Sequence, residues 1–356
     1  MPYLYGIDAV RLSAAISVAL FHLTWQQTSI AATAWFGWIG VQIFFVISGL
    51  VIANSSHGAT PAKFIKSRFL RIYPTAWICA AISFAVLSTT THVGLRALLG
   101  SLMLSPAGPF LATAYWTLPI ELSFYCAVLL LLCIGWGEQL ARFAAALALL
   151  SSVYTVAFGL HCFGYVHAPW LDFAFGWKNV TLLRHGIYFA LGIFLWRWSV
   201  GRATRLDGMM GALCIAAATL EISCGTLGIA RISPAGLSFA RVWLIPLGYA
   251  ALGLLAIIAA IGLRARIAVL PRWTRTALRL AGLVTYPLYL LHEAVGLTAV
   301  ARLAALGVSP LASALLALGL TGLLALAVAA WMEPIVQGWI RNALPDFRRR
   351  RASLSR

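Results

Sequence analysis

Acid is what this sequence has least of: nine Asp and Glu stand against 26 Lys and Arg in 356 residues, and charged side chains make up only 10%. A soluble domain carries about a quarter charged residues, so that class is excluded. Cysteine is sparse and scattered at six, with neither paired zinc spacing nor a disulfide framework; each reads as a small apolar core residue. There is no G-x-S-x-G elbow, Walker loop, G-x-G-x-x-G or H-E-x-x-H, which removes the usual signatures of serine hydrolases, nucleotide-binding folds and zinc proteases. No long linker or low-complexity block separates domains, no cleavable signal peptide is visible, and no repeat period divides the chain into transporter halves.

Apolar length is abundant instead. Hydrophobic residues make up 62% of the chain and the mean hydropathy is +0.91. The expected fold is all-α, a polytopic integral membrane protein of about ten transmembrane helices. Candidate spans fall near 7–26, 35–54, 71–91, 115–136, 140–160, 181–199, 208–230, 241–262, 280–303 and 310–334, while the apolar segment 94–104 is too short to cross. The membrane domain is expected over 1–340, followed by a basic tail over 341–356.

The net charge of +17 is not spread evenly. Alternate connections hold Lys63, Lys66, Arg68 and Arg71, then Arg197, Arg202 and Arg205, then Arg264, Arg266, Arg272, Arg275 and Arg279, and last Arg348 to Arg351. The connections between them are nearly free of Lys and Arg. The positive-inside rule then puts both termini in the cytoplasm. The basicity reads as topology plus attraction to anionic membrane lipids, not as a nucleic-acid footprint. The expected location is a multi-pass position in the inner (plasma) membrane.

Ionisable residues inside the spans are costly and by default mark a functional site. Asp8, Arg11 and His22 lie on one stripe of the first span, with Arg11 and His22 about 16 Å apart along the axis. The structural alternative is a self-neutralising Asp–Arg pair and a core histidine. Arg68 and Arg71, three apart and followed by Tyr73-Pro74, present two guanidinium forks that match phosphate oxygens; snorkelling to headgroups is the alternative. In Trp116-Thr-Leu-Pro-Ile-Glu121-Leu-Ser-Phe-Tyr125, Glu121 needs a cation or donor, and His22 is the expected partner, with Tyr125 on the same face. Trp116 fits either a site or an interfacial aromatic belt. Tyr286-Pro287-Leu-Tyr289-Leu-Leu-His292-Glu293 supplies a second intramembrane histidine, beside an acid. Ser48-Gly49 reads as a small-residue packing notch rather than a nucleophile, and Glu333-Pro334 as a helix end.

In this order these motifs resemble the acyltransferase-3 family of integral membrane acyltransferases. The resembling stretches are Gly6-Ile-Asp8-Ala-Val-Arg11 on to Phe21-His22, Gly40 to Gly49, Arg68 to Pro74, Trp116 to Glu121 with Phe124-Tyr125, and Tyr286 to His292. Gln42 stands where the family commonly has Asp, which puts a charge-pairing role there in doubt. The resemblance implies transfer of an acyl group, usually acetyl from acetyl-CoA as co-substrate, to a hydroxyl of a glycan or lipid-linked saccharide of the exopolysaccharide or O-antigen type. No permanently bound cofactor and no metal is implied. On that reading His22 is the general base oriented by Glu121. Arg68, Arg71, Asp8 and Arg11 serve the CoA end, and Tyr125, Tyr289, His292 and Trp116 the acceptor or the oxyanion. The rival from another class is a transporter or proton-coupled flippase of a lipid-linked sugar.

Overall fold

A computed structural model describes residues 3–25, 27, 29–171, 177–232 and 238–343; the Arg348–Arg351 end of the expected tail lies outside them. Among the described residues the chain is helical with no strand, and nine helices are long and apolar enough to cross a membrane. They are α1 (Tyr5–Trp25), α2 (Ala31–Ser56), α3 (Pro61–Leu87), α5 (Thr113–Cys133), α6 (Gly137–Cys162), α8 (Arg205–Arg231), α9 (Arg241–Gly262), α10 (Arg272–Ala305) and α11 (Pro310–Asn342). The segment too short to cross is α4 (Leu95–Met103).

The sixth expected span is the exception. Only α7 (Gly186–Ser199) of the 181–199 stretch is helical, about 21 Å of rise against a hydrocarbon core of about 30 Å. It is apolar nearly all round because it is buried nearly all round. Its backbone lies directly against α2: a Cβ on Gly49 would fall 2.1 Å from the Phe189 carbonyl oxygen, and one on Gly192 the same distance from that of Val46. The packing notch read from Ser48-Gly49 is therefore Gly49 itself, and Ser48 is free for other work.

Local chemistry sets the helix ends. Thr60 accepts from the Lys63 N–H at 3.3 Å and Pro61 occupies the first turn, starting α3. Gly201, at φ +71°, terminates α7 just before Arg202. Lys63 and Arg68 of α3, Arg197 of α7, Arg205 of α8 and Arg272 of α10 gather at one end of the bundle, the basic face. The carboxylate of Asp207 meets Arg197 there at 3.0 Å.

Two of the long helices contain π turns. A π turn spans His292–Leu297 inside α10 and another spans Val328–Met332 inside α11. Such turns change which residues face inward and recur at functional sites. Glu333 is therefore no helix end: α11 runs on past it, and its buried carboxylate accepts from Gln337 Nε2 at 2.7 Å.

Candidate active site

The α1 stripe and the α10 motif meet. His292 Nε2 lies 2.9 Å from His22 Nδ1, and His22 Nε2 lies 3.3 Å from a Glu293 carboxylate oxygen. His292 Nδ1 faces the Tyr289 carbonyl at 2.7 Å. A carbonyl only accepts, so His292 carries its proton on Nδ1 and offers Nε2 as an acceptor. His22 Nδ1, also 3.2 Å from the Val18 carbonyl, is then the donor. That leaves His22 Nε2 as the nitrogen that takes up a proton, and the Glu293 carboxylate beside it accepts from Nε2 only once that proton is there. Glu293 is held in turn by the Thr113 hydroxyl and by the Ala114 N–H, the latter at 3.0 Å. His292 and Glu293 are buried, while the His22 side chain keeps 27% exposure. The arrangement is a base with one accessible ring and two buried groups that fix its orientation.

Glu121 is not the partner of His22. It sits one turn further towards the basic face than Thr117, and the place beside His22 is filled by Glu293, which the start of α5 holds through Thr113 and Ala114. Glu121 instead accepts from the Ser48 hydroxyl at 2.8 Å and from the Tyr125 hydroxyl, both on the same carboxylate oxygen. The signal for Glu293 was present as an acid beside an intramembrane histidine. In an α-helix, neighbouring residues point about 100° apart; the π turn brings both towards α1.

A cavity of about 640 Å³ opens at the basic face and runs between α1, α2, α3, α5, α10 and α11. Arg11, Arg68, Arg71 and Arg341 line it together with Asp8, Glu121 and Glu333. Asp8 meets Arg11 at 3.8 Å, and the Arg68 guanidinium lies 6.0 Å from the Tyr125 ring centre. Partial burial, and then the neighbouring Asp8 carboxylate, push the half-exposed Tyr3 phenol at the mouth up to about 12. Gly282 is required here because a Cβ would stand 2.3 Å from an Asp8 carboxylate oxygen. At the far end Thr117 and Tyr289 share a hydrogen bond of 3.1 Å, and Tyr289 leads directly to His292.

Thus the expected site residues Asp8, Arg11, Arg68, Arg71, Glu121, Tyr125 and Tyr289 share one cavity, and His22 and His292 lie behind its inner end. Both His292 nitrogens are engaged, so it orients His22 rather than facing a substrate. Trp116 does not line the cavity; its ring packs 5.6 Å from that of His185. Gln42, with its amide turned to donate, satisfies the Trp38 and Ile39 carbonyls at 3.2 Å each, a role within its own helix.

The donor atoms of His22, His292 and Glu293 lie within 4.8 Å of one another, a set that could hold a metal ion. The direct bond between the two rings already uses one nitrogen of each, which suits proton sharing. A second buried cluster, Arg184–Glu221 at 2.8 Å with Tyr188 donating to Glu221 at 2.9 Å, ties α7 to α8 away from the cavity.

A family model described as an acyltransferase domain, that of acyltransferase-3, matches residues 4–332. No curated protein and no solved structure matches the chain.

Proposed function

The chain belongs to the acyltransferase-3 family, and from that premise we propose that it is a membrane O-acyltransferase carrying an acetyl group from acetyl-CoA to a hydroxyl of a glycan or lipid-linked saccharide. The observation that carries this reading is the His22–His292–Glu293 relay lying just behind the Tyr289 end of an arginine-lined cavity. A carrier needs proton-accepting groups, but it does not need four arginines converging on one recess beside an oriented imidazole. Phosphates are the natural guests of Arg68 and Arg71, because a planar guanidinium fork matches their oxygens. The basic face is the cytoplasmic side by the positive-inside rule, which is where acyl-CoA is found.

In the reaction His22 Nε2 takes the proton of the acceptor hydroxyl as its oxygen attacks the thioester carbonyl. The imidazolium so formed faces Glu293, while its Nδ1–H stays on His292 and the Val18 carbonyl. At the cavity end Thr117 donates to the Ala114 carbonyl and Tyr289 to Thr117, so the Tyr289 hydroxyl is the donor that turns to the developing oxyanion. Collapse of the tetrahedral intermediate forms the new ester and breaks the C–S bond. The thiolate takes the proton back from His22 and leaves as CoA. His22, partly exposed at the end of α1 away from the basic face, is where an acceptor assembled outside meets a donor held inside.

The test is release of free thiol from acetyl-CoA by purified protein in nanodiscs supplied with polyprenyl-linked glycan. Wild type releases thiol, and His22→Ala loses about 10²–10⁴ of the rate at equal abundance. Near-normal turnover by His22→Ala would remove His22 from the mechanism. No release by folded wild type with any glycan extract would remove acetyl-CoA as donor.

A further inference from the structure

Glu121 has work in the cavity that the mechanism above does not use. It lies in the middle of a membrane span, only partly buried, and one of its oxygens carries both the Ser48 and the Tyr125 hydroxyls. The other oxygen has no protein partner among the described residues. Glu121 lines the open cavity, so a donor on a bound guest can reach that oxygen. The two hydroxyls also prevent the group from rotating away, so the acceptor is held in one direction.

Its position is informative. Thr117, Glu121 and Tyr125 are spaced four apart on α5 and all line the cavity. They form a polar ladder about 12 Å long on one helix face. Tyr125, the lowest rung, adjoins Arg68 at the basic mouth; Thr117, the highest, is bonded to Tyr289 next to the relay. Whatever passes from the arginines to the relay crosses Glu121. On the donor reading, the phosphates stay with the arginines and the acyl thioester reaches Thr117. Between them lies the pantetheine arm, whose groups at that level are amide N–H and hydroxyl donors.

We propose that Glu121 is the acceptor for an N–H or O–H of the donor's pantetheine arm, with Ser48 and Tyr125 fixing its direction. It is a substrate-binding group that sets the level of the thioester, not the orienter of His22. This inference rests on the acyl-CoA reading.

The experiment compares the Kd of CoA and of adenosine bisphosphate, which carries the nucleotide and no arm, for wild type, Glu121→Gln and Ser48→Ala in nanodiscs. The carboxamide keeps an oxygen for the two hydroxyls and turns an NH2 to the arm, setting donor against donor. CoA binding then weakens roughly ten- to hundredfold in Glu121→Gln while adenosine bisphosphate binds no worse than to wild type. Ser48→Ala shows the same pattern with a smaller loss, because the carboxylate is less well aimed. An effect of charge alone has the opposite sign. Removing a negative group from among Arg11, Arg68 and Arg71 would tighten both anions, and that result overturns the proposal. Equal weakening of both ligands, or no change in either, also overturns it. Failure of wild type to bind CoA while remaining folded overturns the donor reading itself, an outcome distinct from the others.

Discussion

Replacing Glu293 by Gln tests the relay most directly, because the charge opposite His22 is removed while the shape is kept. The carboxylate oxygen lies 3.3 Å from His22 Nε2. At an effective dielectric constant of 20, a unit charge pair at that separation is worth about 5 kcal/mol. Part of this survives in the variant, since a carboxamide oxygen still accepts a hydrogen bond from the imidazolium. The lost stabilisation of the charged intermediate is then about 3–4 kcal/mol, or roughly 10²–10³ in kcat. The loss should fall on kcat and leave donor KM nearly unchanged, because the cation exists only after proton transfer. The Thr113 and Ala114 donors both point at Glu293, so the amide satisfies only one of them, and a melting curve must accompany the kinetics. The assay is thiol release under saturating acetyl-CoA with Glu121→Gln in parallel. A fall in kcat of less than threefold in folded Glu293→Gln refutes the assignment of Glu293 to His22, whereas Glu121→Gln should show its loss first in donor KM.

Two further predictions concern the scaffold that holds this site. Gly49→Ala puts a methyl group 2.1 Å from the Phe189 carbonyl oxygen, so α2 and α7 must separate, at a cost of about 1–3 kcal/mol. The readout is the thermal midpoint in detergent, and an unchanged midpoint would contradict the close backbone approach. Arg184→Met strands the Glu221 carboxylate in the interior and should cost about 3–5 kcal/mol, whereas pairing it with Glu221→Leu should recover most of that loss. Denaturant titration of the single and double variants decides it, and equal destabilisation in both would show that the ion pair itself carries the stability.

Much of this protein was legible from residue order alone. Runs of about 20 apolar residues must satisfy their backbone internally in lipid, so they are helices wherever they occur. The alternation of Lys and Arg between connections gave a consistent basic face. Asp8, Arg11, His22, Glu121 and His292 were identified because an ionisable group inside a span has so few inexpensive uses. The 181–199 stretch was legible as apolar but not as a helix of only Gly186–Ser199, since burial within protein and burial within lipid select the same apolar residues.

What the tertiary structure decided was pairing. Hydropathy is a property of each helix by itself, so it assigns length and character to α1, α5 and α10. Which carboxylate meets which imidazole depends on how deeply each helix sits and how it is rotated against its neighbours. Those quantities place Glu293, not Glu121, against His22, leave Glu121 capped by Ser48 and Tyr125 in the cavity, and turn Glu333 inward. The π turns that aim His292, Glu293 and Glu333 follow from packing between helices, and no local propensity announces them. The sequence by itself determined that this chain spans a membrane and which residues are chemically exceptional there. Only the packed bundle decided which of them act together, because a hydrogen bond is made across a few ångströms between helices whose sequences do not record that distance.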